Sequence, residues 1–271
     1  MEALINTGVA SLMTQPAKAC ECADEALYGM KVEILEQAGE WTRVRTHYQY
    51  TGWVETAALL TYEGRIEAFE AMEKRVVLRS FIDLMAEPKV QSWPLISVPR
   101  GAVLAVTGRE SDGGWVQVML CDGRRAWTRG TNLGQLHTSW DPADEEKLRH
   151  AFVENAMAYL GTQYRWGGKS TLGIDCSGLC SMAYMLAGVL IHRDASIQPE
   201  FCMHKIEYQD IQRGDLMFFP GHVAMYIEDG KFIHSTSRQG DEGVVLATLN
   251  PDDPDYRKDL LESMKYCGSI F

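Results

Sequence analysis

A cysteine follows directly on a glycine-rich loop in the segment GGKSTLGIDCSGLCSMAYMLAG, residues 167–188. The apolar residues after Cys176 recur at helical spacing, which predicts a helix that begins at this cysteine. The free N–H groups and positive dipole of a helix start favour an anion, so we expect the thiol pKa to lie below about 8.5. Cys176 is therefore a candidate nucleophile, and its backbone N–H is a candidate oxyanion donor. A buried core cysteine is the alternative, which we favour for Cys180.

A base for this nucleophile is expected among the histidines, two of which lie in one predicted hairpin, GHVAMYIEDGKFIHS. With a three-residue loop at 228–230, His234 falls opposite Ala224, and His222 shares its face of the ribbon about 7 to 8 Å away. A two-residue loop would instead put the rings on opposite faces. In the first arrangement His222 takes the thiol proton and His234 orients its ring. The hydroxyl of Tyr164 could assist at the oxyanion, although a core aromatic is the alternative.

Three regions of different pattern must position these residues. Residues 1–62 show short alternating strands separated by turns, and residues 76–138 repeat this layout, with GEWTRV and YTGWVE answered by GGWVQV and RRAWTR. The repeat, about 60 residues long with five or so strands, predicts two small all-β barrels. Between them, residues 63–75 form a charged linker or short helix. Residues 139–271 begin with an amphipathic helix, continue into the cysteine helix and end in three or four strands, an α+β arrangement.

Composition limits the partners of the chain. Its 37 acidic and 26 basic residues give a formal charge of -11, which argues against nucleic acid or an anionic membrane and favours a substrate with an amine. The first residues lack a secretory signal, so a cytoplasmic location is expected if Met1 is the true start. The seven cysteines are an odd set that favours thiols over disulfides. No metal or cofactor is expected, because the C-x-C of Cys20 and Cys22 lacks a second pair nearby.

Together these motifs resemble the NlpC-type family of bacterial papain-like cell-wall cysteine peptidases. The matching pieces are YRWGG, DCSGL, GDLMFF, GHVAMYI and FIHS, in the family's order and across residues 140–271. The resemblance implies cleavage of peptide bonds in peptidoglycan stem peptides, typically between D-glutamate and the diamino acid. It also implies Cys176, His222 and His234 as the catalytic triad, with Tyr164 beside the nucleophile.

The two N-terminal units resemble bacterial SH3-like domains, and the whole arrangement is similar to the family's muropeptide-recycling gamma-D-glutamyl-L-diamino acid endopeptidases. In that subgroup an acid and a tyrosine of the first SH3-like domain surround the ammonium of an N-terminal L-alanine. The stretches ECADEALYG and YQYTGW match them at Glu21 and Tyr50, and HRDAS places Asp194 at the same ammonium. A solvated surface acid is the alternative for each carboxylate. The other implied substrate-binding residues flank these motifs: Asp175, Ser177, Ala195 and Ser196.

The leading hypothesis is a cytoplasmic cysteine endopeptidase that cuts after γ-D-glutamate in free L-Ala-γ-D-Glu-diamino-acid peptides through an acyl-enzyme. One alternative is an exported hydrolase that its SH3-like domains tether to intact peptidoglycan. A second alternative is another thiol amidase or acyltransferase on the same scaffold. The sequence leaves open the preferred diamino acid, the oligomeric state and the packing of the domains.

Overall fold

The structure is a computed structural model that describes every residue, Met1–Phe271. The chain divides into two compact units, Met1–Leu136 and His137–Phe271. Unit 1 is built almost entirely from strands, and unit 2 combines helices with one large sheet. The predicted fold class, two all-β SH3-like barrels followed by an α+β domain, is confirmed. No helix is both long enough and apolar enough to span a membrane.

Unit 1 contains two sheets with the same strand order. The first runs β3-β2-β6-β5-β4-β1-β7 and the second β10-β9-β13-β12-β11-β8-β14, so each strand has its counterpart seven strands later. The first sheet consists of β1 (Glu2–Ile5), β2 (Val9–Met13), β3 (Cys22–Leu27), β4 (Lys31–Ala38), β5 (Trp41–Thr46), β6 (Thr51–Glu55) and β7 (Leu59–Leu60). The second consists of β8 (Glu73–Val77), β9 (Phe81–Met85), β10 (Pro94–Pro99), β11 (Val103–Ser111), β12 (Trp115–Met119), β13 (Arg125–Arg129) and β14 (Leu133–Gln135).

The internal repeat is therefore real, but it contains seven strands where the sequence predicted about five. Strands such as β7, with two residues, are too short to show an alternating pattern. Residues 63–75 hold the helix α1 (Glu63–Glu70) and the start of β8. The helix buries Ile66 and Phe69, so this segment is packed against the neighbouring residues and is not an extended linker.

The two sheets and α1 share one hydrophobic core. Phe69 of α1 and Tyr28, in the turn after β3, pack there against residues of the second sheet. The carbonyl of Tyr28 accepts a hydrogen bond from the Val103 N–H at 2.8 Å, and its hydroxyl accepts one from the Cys121 N–H at 2.7 Å. Gly29, at φ +75°, lies so close to the Val103 carbonyl that a Cβ would collide with it. A side chain at this position would therefore separate the two barrels.

Unit 2 has three helices and a six-stranded sheet with the order β17-β22-β18-β19-β20-β21. The sheet has two strands more than the highest number predicted, since β17 and β22 are short and lack clear alternation. The elements are α2 (Glu145–Met157), β15 (Lys169–Ser170), β16 (Gly173–Ile174), α3 (Cys176–Met185), β17 (His204–Ile206), β18 (Leu216–Phe219), β19 (His222–Glu228), β20 (Lys231–Thr236), β21 (Gly243–Thr248), α4 (Lys258–Ser263) and β22 (Tyr266–Ser269).

Helix α3 lies at the centre of unit 2, where it contacts α2, β19 and β20. Every residue from Cys176 to Tyr184 is buried, so the helix is enclosed on all sides instead of along one stripe. Phe152 of α2 stacks on Tyr184 with 3.9 Å between the ring centroids, and the Tyr184 hydroxyl donates to the Gly214 carbonyl. This packing fixes the axis of α3, and with it the position of Cys176.

Candidate active site

Helix α3 begins at Cys176 because Asp175 caps it. The Asp175 Oδ1 accepts a hydrogen bond from the Gly178 N–H at 2.6 Å, while the backbone of Asp175 is extended. Gly178 packs so closely on the Gly168 carbonyl that a Cβ on Gly178 would collide with it. The glycines of this motif therefore let the preceding loop lie directly against the first turn. Cys176 is left with 7% of its surface exposed.

A buried arginine holds this cap in place. Arg193 is 1% exposed, and two of its nitrogens lie 3.1 and 3.0 Å from the two carboxylate oxygens of Asp175. It also donates to the Ser177 hydroxyl at 2.8 Å. Such bidentate, charge-assisted bonds fix geometry as well as charge. Asp175 and Ser177 thus belong to the frame of the helix start, and their predicted contact with substrate stays a prediction. The motif HRDAS pointed to this region, and roles were predicted for Asp194, Ala195 and Ser196 but not for Arg193.

The hairpin that carries the two histidines has a different turn from the predicted one. Its loop is the two-residue Asp229-Gly230, with φ +49° and +77°, and Glu228 pairs with Lys231. The three-residue loop was therefore wrong. A bulge lies between Tyr226 and Glu228, however, and the extra residue there restores the alternation that the shorter loop would have inverted.

The two histidines consequently meet on one face. His222 Nε2 and His234 Nδ1 are 2.8 Å apart, a hydrogen-bond distance, and the rings meet edge to face. The ladder between β19 and β20 ends with the pair Met225–Ile233, so no ladder pair joins the strands beyond it on the side of the histidines. The backbone N–H of Val223, next to His222, lies within hydrogen-bonding reach of the Cys176 sulfur. The thiol and the histidine pair are therefore neighbours at the end of this hairpin.

Burial dominates the electrostatics of the site. It raises the pKa of the Cys176 thiol to about 11, and the carboxylate of Asp175 adds to the rise, although the N–H groups of Val223 and Ser177 oppose it. It lowers the pKa of His222 to about 4 and that of His234 to about 3. The expected lowered thiol pKa is thus not found, because desolvation outweighs the helix start. At neutral pH the thiol and both rings are uncharged, so a proton must move when the sulfur attacks.

Tyr164 lies beside the nucleophile, as the resemblance implied. It is half-buried and forms an isolated bridge with Ile174, two residues before Cys176. Burial raises the pKa of its hydroxyl to about 12, and the neighbouring Cys176 adds to this rise. The hydroxyl therefore keeps its proton at neutral pH and can donate a hydrogen bond. Its role at the oxyanion stays a prediction.

The segment after Arg193 lines a pocket next to the nucleophile helix. Asp194 and Ser196 contribute to its wall together with Ser177, whereas Ala195 is half-buried and does not line it. The Ser196 hydroxyl lies 3.2 Å from His192 Nδ1 and accepts a hydrogen bond from the Gln198 amide. The remaining lining residues are mainly apolar: Cys180, Ile191, Ile197, Phe201, Met203, Leu216, Phe218 and Val223.

The other two predicted substrate contacts, Glu21 and Tyr50, lie in unit 1 at the residues just before β3 and β6. Glu21 is exposed and Tyr50 is half-buried. Two further acids of the same motif, Asp24 and Glu25, are buried in β3, and the Tyr48 hydroxyl donates to Asp24 at 2.6 Å. The sequence could not show that Asp24 and Glu25 are buried and Glu21 is exposed. The roles of Glu21 and Tyr50 stay predictions.

A thiol at a helix start, a histidine pair on the adjoining strands and an α+β scaffold together define a papain-like cysteine peptidase. The NlpC/P60 family model matches residues 161–252, and the model for the bacterial dipeptidyl-peptidase Sh3 domain matches residues 12–59. Dipeptidyl-peptidase 6 of Lysinibacillus sphaericus is 37% identical over 281 residues, covering 100% of both chains. This chain belongs to the NlpC/P60 family and is a cysteine peptidase of the peptidoglycan-hydrolysing type.

Two further comparisons cover most of the chain. The gamma-D-glutamyl-L-lysine dipeptidyl-peptidase of Bacillus cereus is 27% identical over 262 residues, which span 89% of this chain and 74% of that protein. The crystal structure of an NlpC/P60 family protein from Bacillus cereus ATCC 10987 superimposes with a TM-score of 0.79 over 98% of both chains. Its sequence identity is 22%, so this likeness shows the shared fold.

Proposed function

We propose that this protein is a cysteine endopeptidase that releases L-Ala-γ-D-Glu from free peptidoglycan stem peptides by cutting before the diamino acid. The observation that carries the proposal is that the Cys176 sulfur, at the start of α3, lies close to the backbone N–H of Val223. Val223 is the residue next to His222, which forms a hydrogen-bonded pair with His234. The full-length similarity to a dipeptidyl-peptidase supports removal of a dipeptide. The name of the Bacillus cereus relative supports the γ-D-glutamyl bond. The resemblance to recycling enzymes supports action in the cytoplasm.

Because Cys176, His222 and His234 are uncharged in the resting enzyme, the reaction begins with a proton transfer from the thiol. His222 accepts the thiol proton as the Cys176 sulfur attacks the γ-carbonyl carbon, and His234 orients the imidazolium. The oxyanion is held by the Cys176 N–H and the Tyr164 hydroxyl. His222 then gives its proton to the departing amine of the diamino acid, which leaves a thioester on Cys176. Water, deprotonated by His222, hydrolyses this thioester and restores the thiol.

Recognition of a free N-terminus requires negative charge near the far end of the dipeptide. An ammonium that leaves water needs a carboxylate or several acceptors around it. Asp194, on the wall of the pocket that Ser177 shares, supplies such a carboxylate in unit 2. The formal charge of -11 also favours the approach of a cationic group.

The test is a set of three substrates. The free tripeptide L-Ala-γ-D-Glu-L-Lys, its Nα-acetylated form and intact sacculi are incubated separately with the enzyme, and the products are identified by mass spectrometry. We expect release of L-Ala-γ-D-Glu from the free tripeptide only, with no release by the Cys176→Ala variant. Cleavage of sacculi would instead support the tethered wall hydrolase. Equal turnover of the acetylated peptide would contradict recognition of the ammonium and favour another thiol amidase.

A further inference from the structure

Helix α4 covers the face of the sheet that carries the two histidines. Leu260 of α4 packs in one cluster with Ala224 of β19 and Phe232 of β20. Each of these strand residues lies two positions from a histidine and therefore on the same face as that histidine. Arg257, the residue just before α4, is anchored to β21 because its N–H donates to the Thr248 carbonyl at 2.8 Å.

The side chain of Arg257 is fixed and buried. Its Nε and Nη2 donate to the two carboxylate oxygens of Asp259 at 2.8 and 2.7 Å, and the arginine side chain is 8% exposed. Its third nitrogen, Nη1, is buried and makes no hydrogen bond, and the same is true of Nε2 of His234. Each ion of this pair has a different setting, since the Asp259 side chain is 64% exposed. The Arg257 guanidinium is thus buried, whereas the Asp259 carboxylate that binds it is exposed to solvent.

We propose that Arg257, fixed by Asp259, is a positioning residue behind the histidine pair: its buried guanidinium keeps the imidazoles of His222 and His234 uncharged. This inference rests on the proposed function, in which an uncharged His222 accepts the proton of Cys176. A cation held behind the pair makes a resting imidazolium unfavourable. It does so without occupying the space in which the substrate and the sulfur react.

The charges around the pair support this assignment. After burial, Arg257 is the largest influence on the pKa of His222, and it also lowers the pKa of His234, which His222 itself lowers further. Asp259 opposes it at both rings, and Arg238 adds a smaller effect at His234. Arg257 is therefore the dominant cation near the histidines.

The experiment is a titration of the two imidazoles by NMR in the full-length protein without substrate. Removing the cation with Arg257→Gln should raise the apparent pKa of the pair by about one unit. Removing the outer carboxylate with Asp259→Asn should shift it in the opposite direction, because the guanidinium is then uncompensated. Lys258→Gln, on the neighbouring residue with a side chain 70% exposed, is the matched control and should leave the titration unchanged.

The apparent pKa of the acid limb of the kcat/KM–pH profile should shift in the same direction as the imidazole pKa. It should rise for Arg257→Gln and fall for Asp259→Asn. Unchanged imidazole titrations in both variants, with only a lower melting temperature, would overturn the inference and leave Arg257 a purely structural residue. If Arg257→Gln does not fold, Asp259→Asn alone decides by the direction of its shift. Because the titration needs no turnover, it stands even if the proposed substrate is not cleaved.

Discussion

The start of α3 and the core of unit 1 are both buried, but they are built from opposite kinds of residue. At the start of α3, Asp175 and its partner Arg193 are at most 7% exposed. In the core of unit 1 the buried residues are almost all apolar, with Leu104 and Val118 fully enclosed. A buried ion pair contributes little net stability compared with apolar packing, yet breaking it is severe. The first region therefore provides fixed chemical groups, and the second provides stability.

The largest effect in this comparison is expected at the nucleophile. Cys176→Ala should lower kcat on the order of 10⁴- to 10⁶-fold, because attack by the sulfur is lost, while the melting temperature changes little. The matched control is Cys267→Ala, in β22 and likewise 1% exposed. That variant should keep its activity and lose about 1 kcal/mol of stability from a small cavity. Activity retained by Cys176→Ala would contradict a thiol mechanism.

The next largest effect is expected when the buried guanidinium of Arg193 is removed. Arg193→Met leaves Asp175 buried without its partner, so we expect a loss of about 3–5 kcal/mol in the free energy of unfolding. Urea denaturation of the full-length protein, with hydrogen exchange used to follow the residues of unit 2, measures this free energy. Arg238→Met is the control, since this arginine has a side chain 58% exposed and should lose less than about 1 kcal/mol. Equal losses in the two variants would remove the distinction between buried and exposed pairs.

A cavity in the apolar region should affect stability without affecting chemistry. Leu104→Ala, at a side chain with 0% exposure, should lower the free energy of unfolding by about 2–5 kcal/mol. The activity per folded molecule should be unchanged, because unit 1 holds no reacting group. Leu35→Ala, at 36% exposure, should change stability by less than about 0.5 kcal/mol. A fall in kcat of folded Leu104→Ala would contradict the division of roles.

The smallest effect is the change in stability between pH 7 and 6. The pKa values of His222 and His234 are lowered to about 4 and about 3, so the unfolded chain binds more protons below pH 6.5. Stability should hence fall as pH decreases from about 6.5 towards 4, with a loss of about 1 kcal/mol between pH 7 and 6. The fall belongs to unit 2, because the one histidine of unit 1, His47, is exposed. Hydrogen exchange at several pH values measures the stability of each unit separately. An equal loss of stability in both units would contradict the assignment to His222 and His234.

Local signals in the sequence predicted much of the fold and part of the site. The glycine-rich loop before Cys176 and the helical spacing after it located the start of α3, and alternation located the central strands of both barrels. Those features depend on residues near one another in the chain. The strands with two or three residues were not predicted, because so short a segment shows no alternating pattern.

What only the tertiary structure decided lies in pairing and burial. A bulge between Tyr226 and Glu228 keeps the histidines together although the turn is shorter than predicted. Arg193 finds Asp175 across 18 positions of the chain, and α4 brings Arg257 towards His234. Desolvation raises the pKa of the Cys176 thiol where the helix start alone would lower it. A sequence states which groups exist and their local geometry, whereas the energy of a charge depends on everything packed around it.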